Sequence, residues 1–287
     1  MKLPEPSSEP PVDLLENALK SLWGATAWPF RAATAEPLET VTFLDTLHRL
    51  EQCVAVQSSG VLWGPNGVGK SRLIQSLIQR LSPKLYRTLV LTHSSLTGSD
   101  VIRYLTQQLG LVTKPRRSDQ VLALRQHWTE LDRLWPILIF EEAQNLSAMA
   151  LEELRLLSCD RRDTQPPFSL LLVGDATLLD RLQMGVNRPL LTRLGFCLSL
   201  QPWTLTESSA YLERRLREVG IHENVFDPPA QDLLLRIAHG LPRAINHLAQ
   251  RAFEEAARAN TRLIRREEVQ QALDLLPWLG RLREEET

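Results

Sequence analysis

Gly64-Pro65-Asn66-Gly67-Val68-Gly69-Lys70-Ser71 lies between the apolar run 59–63 and an amphipathic stretch over 70–81, an order that few folds accommodate. A GxxxxGK[ST] loop works where a strand delivers the chain to a tight turn and a helix carries it away. Its glycines let successive N–H groups turn inward on phosphate oxygens, and the following helix N-terminus adds partial positive charge. A nucleoside triphosphate is the ligand this segment implies. Lys70 is placed to reach the β- and γ-phosphates and Ser71 to set its hydroxyl on Mg²⁺. Gly-rich turns before helices are common, but here every fixed position and both flanks agree.

Short apolar runs at 59–63, 88–92, 137–140, 169–173 and 197–200 read as strands, and helical spacing fills 70–81, 100–109, 121–134, 148–157 and 176–183. The expected fold class is α/β, a P-loop domain whose parallel sheet is flanked by helices. Phosphate loops sit at the C-terminal ends of such strands. Ahead of the loop, 13–22 and 39–52 have helical periodicity, the second with Val41, Leu44, Leu47 and Leu50 on one face. Residues 1–11 have the Pro-, Glu- and Ser-rich composition of a disordered lead-in. Beyond Pro202 the strands stop, and 206–219, 229–239, 242–259 and 266–276 are helical patterns punctuated by Gly220 and Gly240. The expected division is a partly disordered extension over 1–27, the P-loop domain over 28–202, an all-helical lid over 203–276 and a tail over 277–287. That tail, with Glu284-Glu285-Glu286, reads as solvated.

A hydrophobic fraction of 43% in 287 residues is ample for a packed core. No apolar run approaches the roughly 20 residues that span a bilayer, and the N-terminus lacks the order of a secretory signal. The expectation is a cytoplasmic protein with no membrane contact. Cys53, Cys159 and Cys197 stand far apart, with no C-x-x-C pair and no His at ligand spacing, which suggests reduced thiols. A net charge of −1 gives no global pull toward nucleic acid, so any such binding needs a local basic patch or one built by oligomerisation.

Pro136-Ile137-Leu138-Ile139-Phe140-Glu141-Glu142 is an apolar strand ending in two carboxylates. After a phosphate loop, this is where acid is needed: the first carboxylate in the Mg²⁺ shell, the second beside the attacking water to orient and deprotonate it. Alone, the run is equally a strand entering a solvated turn. The loop upstream is what gives it chemical meaning.

Four segments together resemble the AAA+ ATPases of the ExeA and TnsC type. They are Phe140-Glu141-Glu142-Ala143-Gln144-Asn145-Leu146, Leu151-Glu152-Glu153-Leu154-Arg155-Leu156-Leu157, Leu170-Leu171-Leu172-Val173-Gly174 and Gly240-Leu241-Pro242-Arg243-Ala244-Ile245-Asn246. The likeness runs over about 28–275. That group includes secretion-pathway ATPases and the TniB- and TnsC-like ATPase regulators of bacterial transposons. The resemblance implies ATP and Mg²⁺ as ligands, with Gly64, Pro65, Asn66, Gly67, Val68, Gly69, Lys70 and Ser71 as the Walker A segment. It implies Glu141 toward the metal, Glu142 as catalytic base, Asp175 as sensor of the γ-phosphate and Arg243 as the sensor-2 arginine of the lid. Asp175 is equally a turn or helix-cap residue, and Pro242 is also a first-turn helix proline. AAA+ rings complete each site with a neighbouring subunit's arginine, which steadies charge on the γ-phosphoryl. The family places it in the stretch 187–194, making Arg193 the first candidate and Arg188 the second; either is otherwise an ordinary surface arginine. The family's metal-directed acid is usually Asp. Glu141 moves its carboxylate by more than ~1 Å, which Mg²⁺ geometry tolerates poorly and which implies slow hydrolysis.

Lys114-Pro115-Arg116-Arg117 sets three cations in four residues, and Arg161-Arg162 two more. Repeated around a ring or filament, such loops sum to salt-dependent affinity for duplex DNA through Lys114, Arg116 and Arg117. The alternative is a pair of solvated loops balanced by Asp119, Asp160 and Asp163. No recognition-helix, zinc-finger or RNP signature is present, so strong sequence preference is not expected. Trp63, Trp128, Trp135 and Trp203 flank buried-looking elements and read as core residues. The leading functional reading is an ATPase that homo-oligomerises on DNA and directs a transposase, with target-selector proteins, to its target. The alternatives are an ExeA-like secretion-associated ATPase and a nucleotide-gated scaffold with little hydrolysis.

Overall fold

The computed structural model describes residues 11–30, 37–92, 96–131, 133–159 and 166–281. Most of the expected lead-in, the Arg161-Arg162 pair and the Glu284–Glu286 run lie outside them. Two compact units emerge: residues 39–201, and residues 1–38 joined with 202–287.

In chain order the described elements are α1 (Pro11–Trp23), α2 (Val41–Ala55), β1 (Ser59–Trp63), α3 (Lys70–Arg80), β2 (Tyr86–Leu91), α4 (Gly98–Gln108), α5 (Arg117–Glu130) and β3 (Trp135–Phe140). A single 3₁₀ turn (Ala143–Asn145) leads to α6 (Ala148–Ser158), β4 (Ser169–Gly174), α7 (Ala176–Gln183), α8 (Arg188–Leu191) and β5 (Leu194–Ser199). The helices α9 (Leu205–Glu218), α10 (Pro228–Ile237), α11 (Pro242–Arg258), α12 (Arg266–Asp274) and α13 (Pro277–Arg281) follow.

The five strands form one parallel sheet in the order β2-β3-β4-β1-β5. Side chains alternate across a strand. Leu138, Phe140, Leu170, Leu172 and Val61 therefore share one face, where they join Val101, Leu105, Leu124, Leu151 and Leu154 of α4, α5 and α6 in one core. The intervening Ile137, Ile139, Leu171 and Leu62 are as deeply buried on the opposite face. Burial on both faces is why these strands read as continuous apolar runs and not as alternating ones. The expected P-loop sheet is present.

Helix starts follow local chemistry. Thr40 accepts from the Phe43 amide, Ser147 from Ala150 and Asp227 from Ala230. Thr97 and Asp100 close a capping box that opens α4 two residues ahead of its expected start. The stretch 187–194, expected as the approach to a strand, contains the single turn α8. Likewise α5 begins at Arg117, so the basic run expected as a loop ends inside a helix.

The second unit is built on α11. Its Ala244, Ile245, Leu248, Ala249, Ala252, Phe253 and Ala256 are buried at helical spacing. Phe253 is ringed by Trp23, Phe30 and Phe226 at centroid distances of 5.0, 5.9 and 5.6 Å. The Trp23 indole also donates to the Arg262 carbonyl at 2.7 Å. Trp28 and Phe30, expected at the start of the P-loop domain, thus belong to the helical unit, Phe30 through its packing on Phe253 of α11. Among the described residues no helix is long and apolar enough to cross a membrane.

Candidate functional site

The phosphate loop begins where β1 ends. A Cβ on Gly64 would stand 2.4 Å from the Leu200 carbonyl oxygen, so only glycine lets the loop leave the sheet here. Gly67 and Gly69 have φ of 86° and 113°, outside the range of ordinary side chains. Gly69 is the N-cap of α3 and offers no side chain, so the first α3 amides face the loop without an internal acceptor. The Gly64 amide donates to Gly174 at 3.2 Å and the Leu200 amide to Trp63 at 2.9 Å, tying the loop to the ends of β4 and β5.

Lys70 is 7% exposed, and its ammonium donates to the carbonyls of Gly64 at 2.8 Å and Pro65 at 3.0 Å. A cation stapled to the loop's own carbonyls keeps the cradle open in shape. It holds its charge where phosphate oxygens would replace those carbonyls.

β3 brings the acids. The Glu141 amide donates to the Leu91 carbonyl, continuing the sheet pairing one residue past Phe140. Its carboxylate Oε2 accepts from the Ser71 hydroxyl at 3.2 Å. Burial, then the like charge of Glu142, push the Glu141 carboxyl above its ordinary value; the Ser71 hydrogen bond and Lys70 act against them. Two hard oxygens side by side at the mouth of a phosphate loop suit Mg²⁺, which takes one or two protein ligands and completes its octahedron with water and phosphate. Among the described residues no cluster of three His, Cys, Asp or Glu gathers to cage a metal. The adjacent Ser71 and Glu141 oxygens would fit a metal shared with a nucleotide, with Glu in place of Asp.

Glu142 has φ 51° and ψ 37°, a left-handed conformation uncommon outside glycine. Its exposed carboxylate accepts from Gln144 Nε2 at 2.8 Å. The Arg181 guanidinium, reaching from α7, donates to the backbone carbonyls of Gln144 and Leu146. Neither Gln144 nor Arg181 was singled out by sequence reasoning. A glutamine two residues past the second acid was visible; an arginine 37 residues on was not.

Asp175 follows Gly174 and caps α7, accepting from the Thr177 amide at 3.0 Å and hydroxyl at 2.6 Å. Arg188 opens α8 and Arg193 follows it, both exposed. Lys114 and Arg116 are exposed, whereas Arg117 forms a forked pair with Glu153, 15% exposed, on α6. Arg243 occupies the second position of α11 in the helical unit, after Gly240 in a left-handed turn at φ 69°. Trp128 is buried against Phe168, while Trp63, Trp135 and Trp203 are half-buried.

Residues 54–182 match the model of a family described as AAA domain. General secretion pathway protein A of Aeromonas hydrophila is 29% identical over 214 residues, which cover 71% of this chain and 38% of that protein. The chain thus spans well under half the length of this relative. Cdc6p of Pyrobaculum aerophilum superposes with a TM-score of 0.70 at 16% identity, covering 86% of this chain and 70% of that one. The ORC1 protein of Aeropyrum pernix, solved in complex with DNA, gives 0.66 at 22% identity, covering 87% and 69%. Identities this low speak for the fold.

Proposed function

We propose, from the match of residues 54–182 to the AAA-domain model, that this chain is an AAA+ ATPase that binds ATP with Mg²⁺ and hydrolyses it to ADP and phosphate. The observation that carries the reading is the Ser71–Glu141 hydrogen bond beside the stapled Lys70. Lys70 exchanges its loop carbonyls for β- and γ-phosphate oxygens. Ser71 and Glu141 hold the metal, whose chemistry is to neutralise charge on those phosphates. Glu142 accepts a proton from the water whose oxygen bonds to the γ-phosphorus, as the bond to the bridging oxygen of ADP breaks. Asp175, Arg243 and a neighbouring subunit's Arg193, or in second place Arg188, sense the γ-phosphate and complete the site. Glu142→Gln tests this: turnover should be lost with ATP affinity retained, because the amide orients water without accepting its proton. Parent-rate hydrolysis by that variant would sink the assignment.

In our reading the ATP-bound form assembles as a ring or filament on duplex DNA and delivers a transposase to its target. The transposon-regulator resemblance supports this, as do the exposed Lys114 and Arg116 and a fold shared with an ORC1 protein solved on DNA. The likeness to General secretion pathway protein A favours a second reading, a secretion-associated ATPase. Electron microscopy with a nonhydrolysable ATP analogue, with and without duplex DNA, separates them. Assemblies indifferent to DNA would favour the second. A third, a scaffold with little turnover, rests on Glu141 and is tested by the hydrolysis rate itself.

A further inference from the structure

We propose that Gln144 positions the general base, its side-chain amide anchoring one oxygen of Glu142 so that the other is presented to water. The proposal rests on Glu142 being that base. Gln144 Nε2 donates to Glu142 Oε2 at 2.8 Å, while Gln144 Oε1 is buried with no hydrogen-bond partner among the described residues. Orphaned buried acceptors are rare and call for a reason. The reason here is orientation: turning the amide over would set Oε1 against the carboxylate and forfeit the bond to Glu142. Space is fitted to this side chain. A Cβ on Gly174 would lie 2.6 Å from Gln144 Oε1, so the glycine ending β4 is what admits the amide. Its backbone is fixed as well, since Arg181 of α7 grips the carbonyls of Gln144 and Leu146 on either side of Asn145. The Asn145 amide donates to the Glu142 carbonyl at 2.9 Å and closes the same turn. Glu142 is thus held through its main chain by the turn and through its carboxylate by Gln144, itself braced from α7 and β4. Arg181 is a second positioning residue in this arrangement, acting through the Gln144 backbone.

The test uses the full chain and a double-mutant cycle with Glu142→Gln. Gln144→Leu removes the donor at similar volume, and Gln144→Glu keeps the shape but sets a second carboxylate against the first. Each should lower kcat about tenfold, a part of what a general base contributes, while the Kd for a fluorescent ATP analogue changes less than twofold. In the Glu142→Gln background neither should lower the residual turnover further, because the oxygen being positioned no longer accepts a proton. A residue that merely supports the fold would instead weaken nucleotide binding and lower both backgrounds equally. Parent kcat in both single variants, a raised kcat, or equal losses in the two backgrounds overturns the proposal. Parent-rate turnover by Glu142→Gln alone overturns the base assignment instead, so the two failures are distinguishable. If circular dichroism shows that Gln144→Leu disturbs folding, Gln144→Glu decides.

Discussion

The Ser71 hydroxyl donates to Glu141 Oε2 at 3.2 Å, joining the first turn of α3 to the C-terminal end of β3 across 70 residues of sequence. Neither oxygen alone marks a metal position. Together, beside the carbonyl-stapled Lys70, they would on the proposed reading set a metal and a phosphate chain side by side, and each half of that arrangement can be tested separately.

Lys70→Ala should abolish measurable ATP binding while the fold persists. The ammonium makes charge-assisted bonds that no neighbouring cation replaces within the loop, and losing one such partner costs about 2–5 kcal/mol, roughly 30-fold to several-thousand-fold in Kd. Equilibrium titration with a fluorescent nucleotide reads the loss, and circular dichroism checks the fold. An unchanged Kd would remove this loop from the ATP site.

Glu141 sets stability against function. Its proton is held more tightly in the folded chain than in the unfolded one, so this group's contribution to stability falls as pH rises from the ordinary carboxylate range through the raised folded value. Metal binding runs the other way, since Mg²⁺ takes the ionised carboxylate. Glu141→Gln should therefore unfold at a higher temperature than the parent near neutral pH without ligand, and gain less from Mg²⁺ and ATP. Thermal unfolding with and without ligand reads both; a variant less stable than the parent in the apo state contradicts the sign. Glu141→Asp should keep or raise turnover.

Those two predictions rest on what local pattern could show. The loop glycines, the apolar strands and the acid pair were legible because each is fixed by residues close in sequence. The helical unit's N-terminal cover was not, since Trp23 and Phe30 are aromatic residues whose partner, Phe253, lies some 230 positions away. Arg117 read as either a DNA contact or a loop cation balanced by nearby Asp residues, and its partner was hidden for the same reason: Glu153 is 36 residues on. Asp175 was legible as either sensor or cap; the structure shows the cap, and the two roles are compatible.

An arginine acting across subunits predicts that Arg193→Ala binds ATP normally but hydrolyses it slowly, by the 10³-fold or more that such a cation contributes. Mixing it with Lys70→Ala should restore partial activity, because mixed assemblies contain sites with an intact Lys70 facing an intact Arg193. Arg188→Ala is the comparison. Equal, mild effects from both would leave neither as the trans-acting group.

DNA binding, on the proposed reading, should need the ATP-bound assembly and weaken steeply with salt, because each phosphate neutralised releases condensed counterion. The structure sharpens which cations matter. Arg117 is committed to Glu153, whereas Lys114 and Arg116 are exposed in the turn ahead of α5. Replacing Lys114 and Arg116 together by alanine should flatten the log–log salt slope by about 0.9 for each phosphate left without its cation, multiplied by the subunits engaged. Affinity should fall uniformly across duplex sequences with ATP binding intact. Arg117→Ala alone should change the slope far less. Fluorescence anisotropy with a labelled duplex and a nonhydrolysable ATP analogue, titrated with salt, gives the comparison. Equal slopes for parent and double variant would take this patch out of the interface, and no DNA association in any nucleotide state at low salt would shift the functional reading to the secretion type.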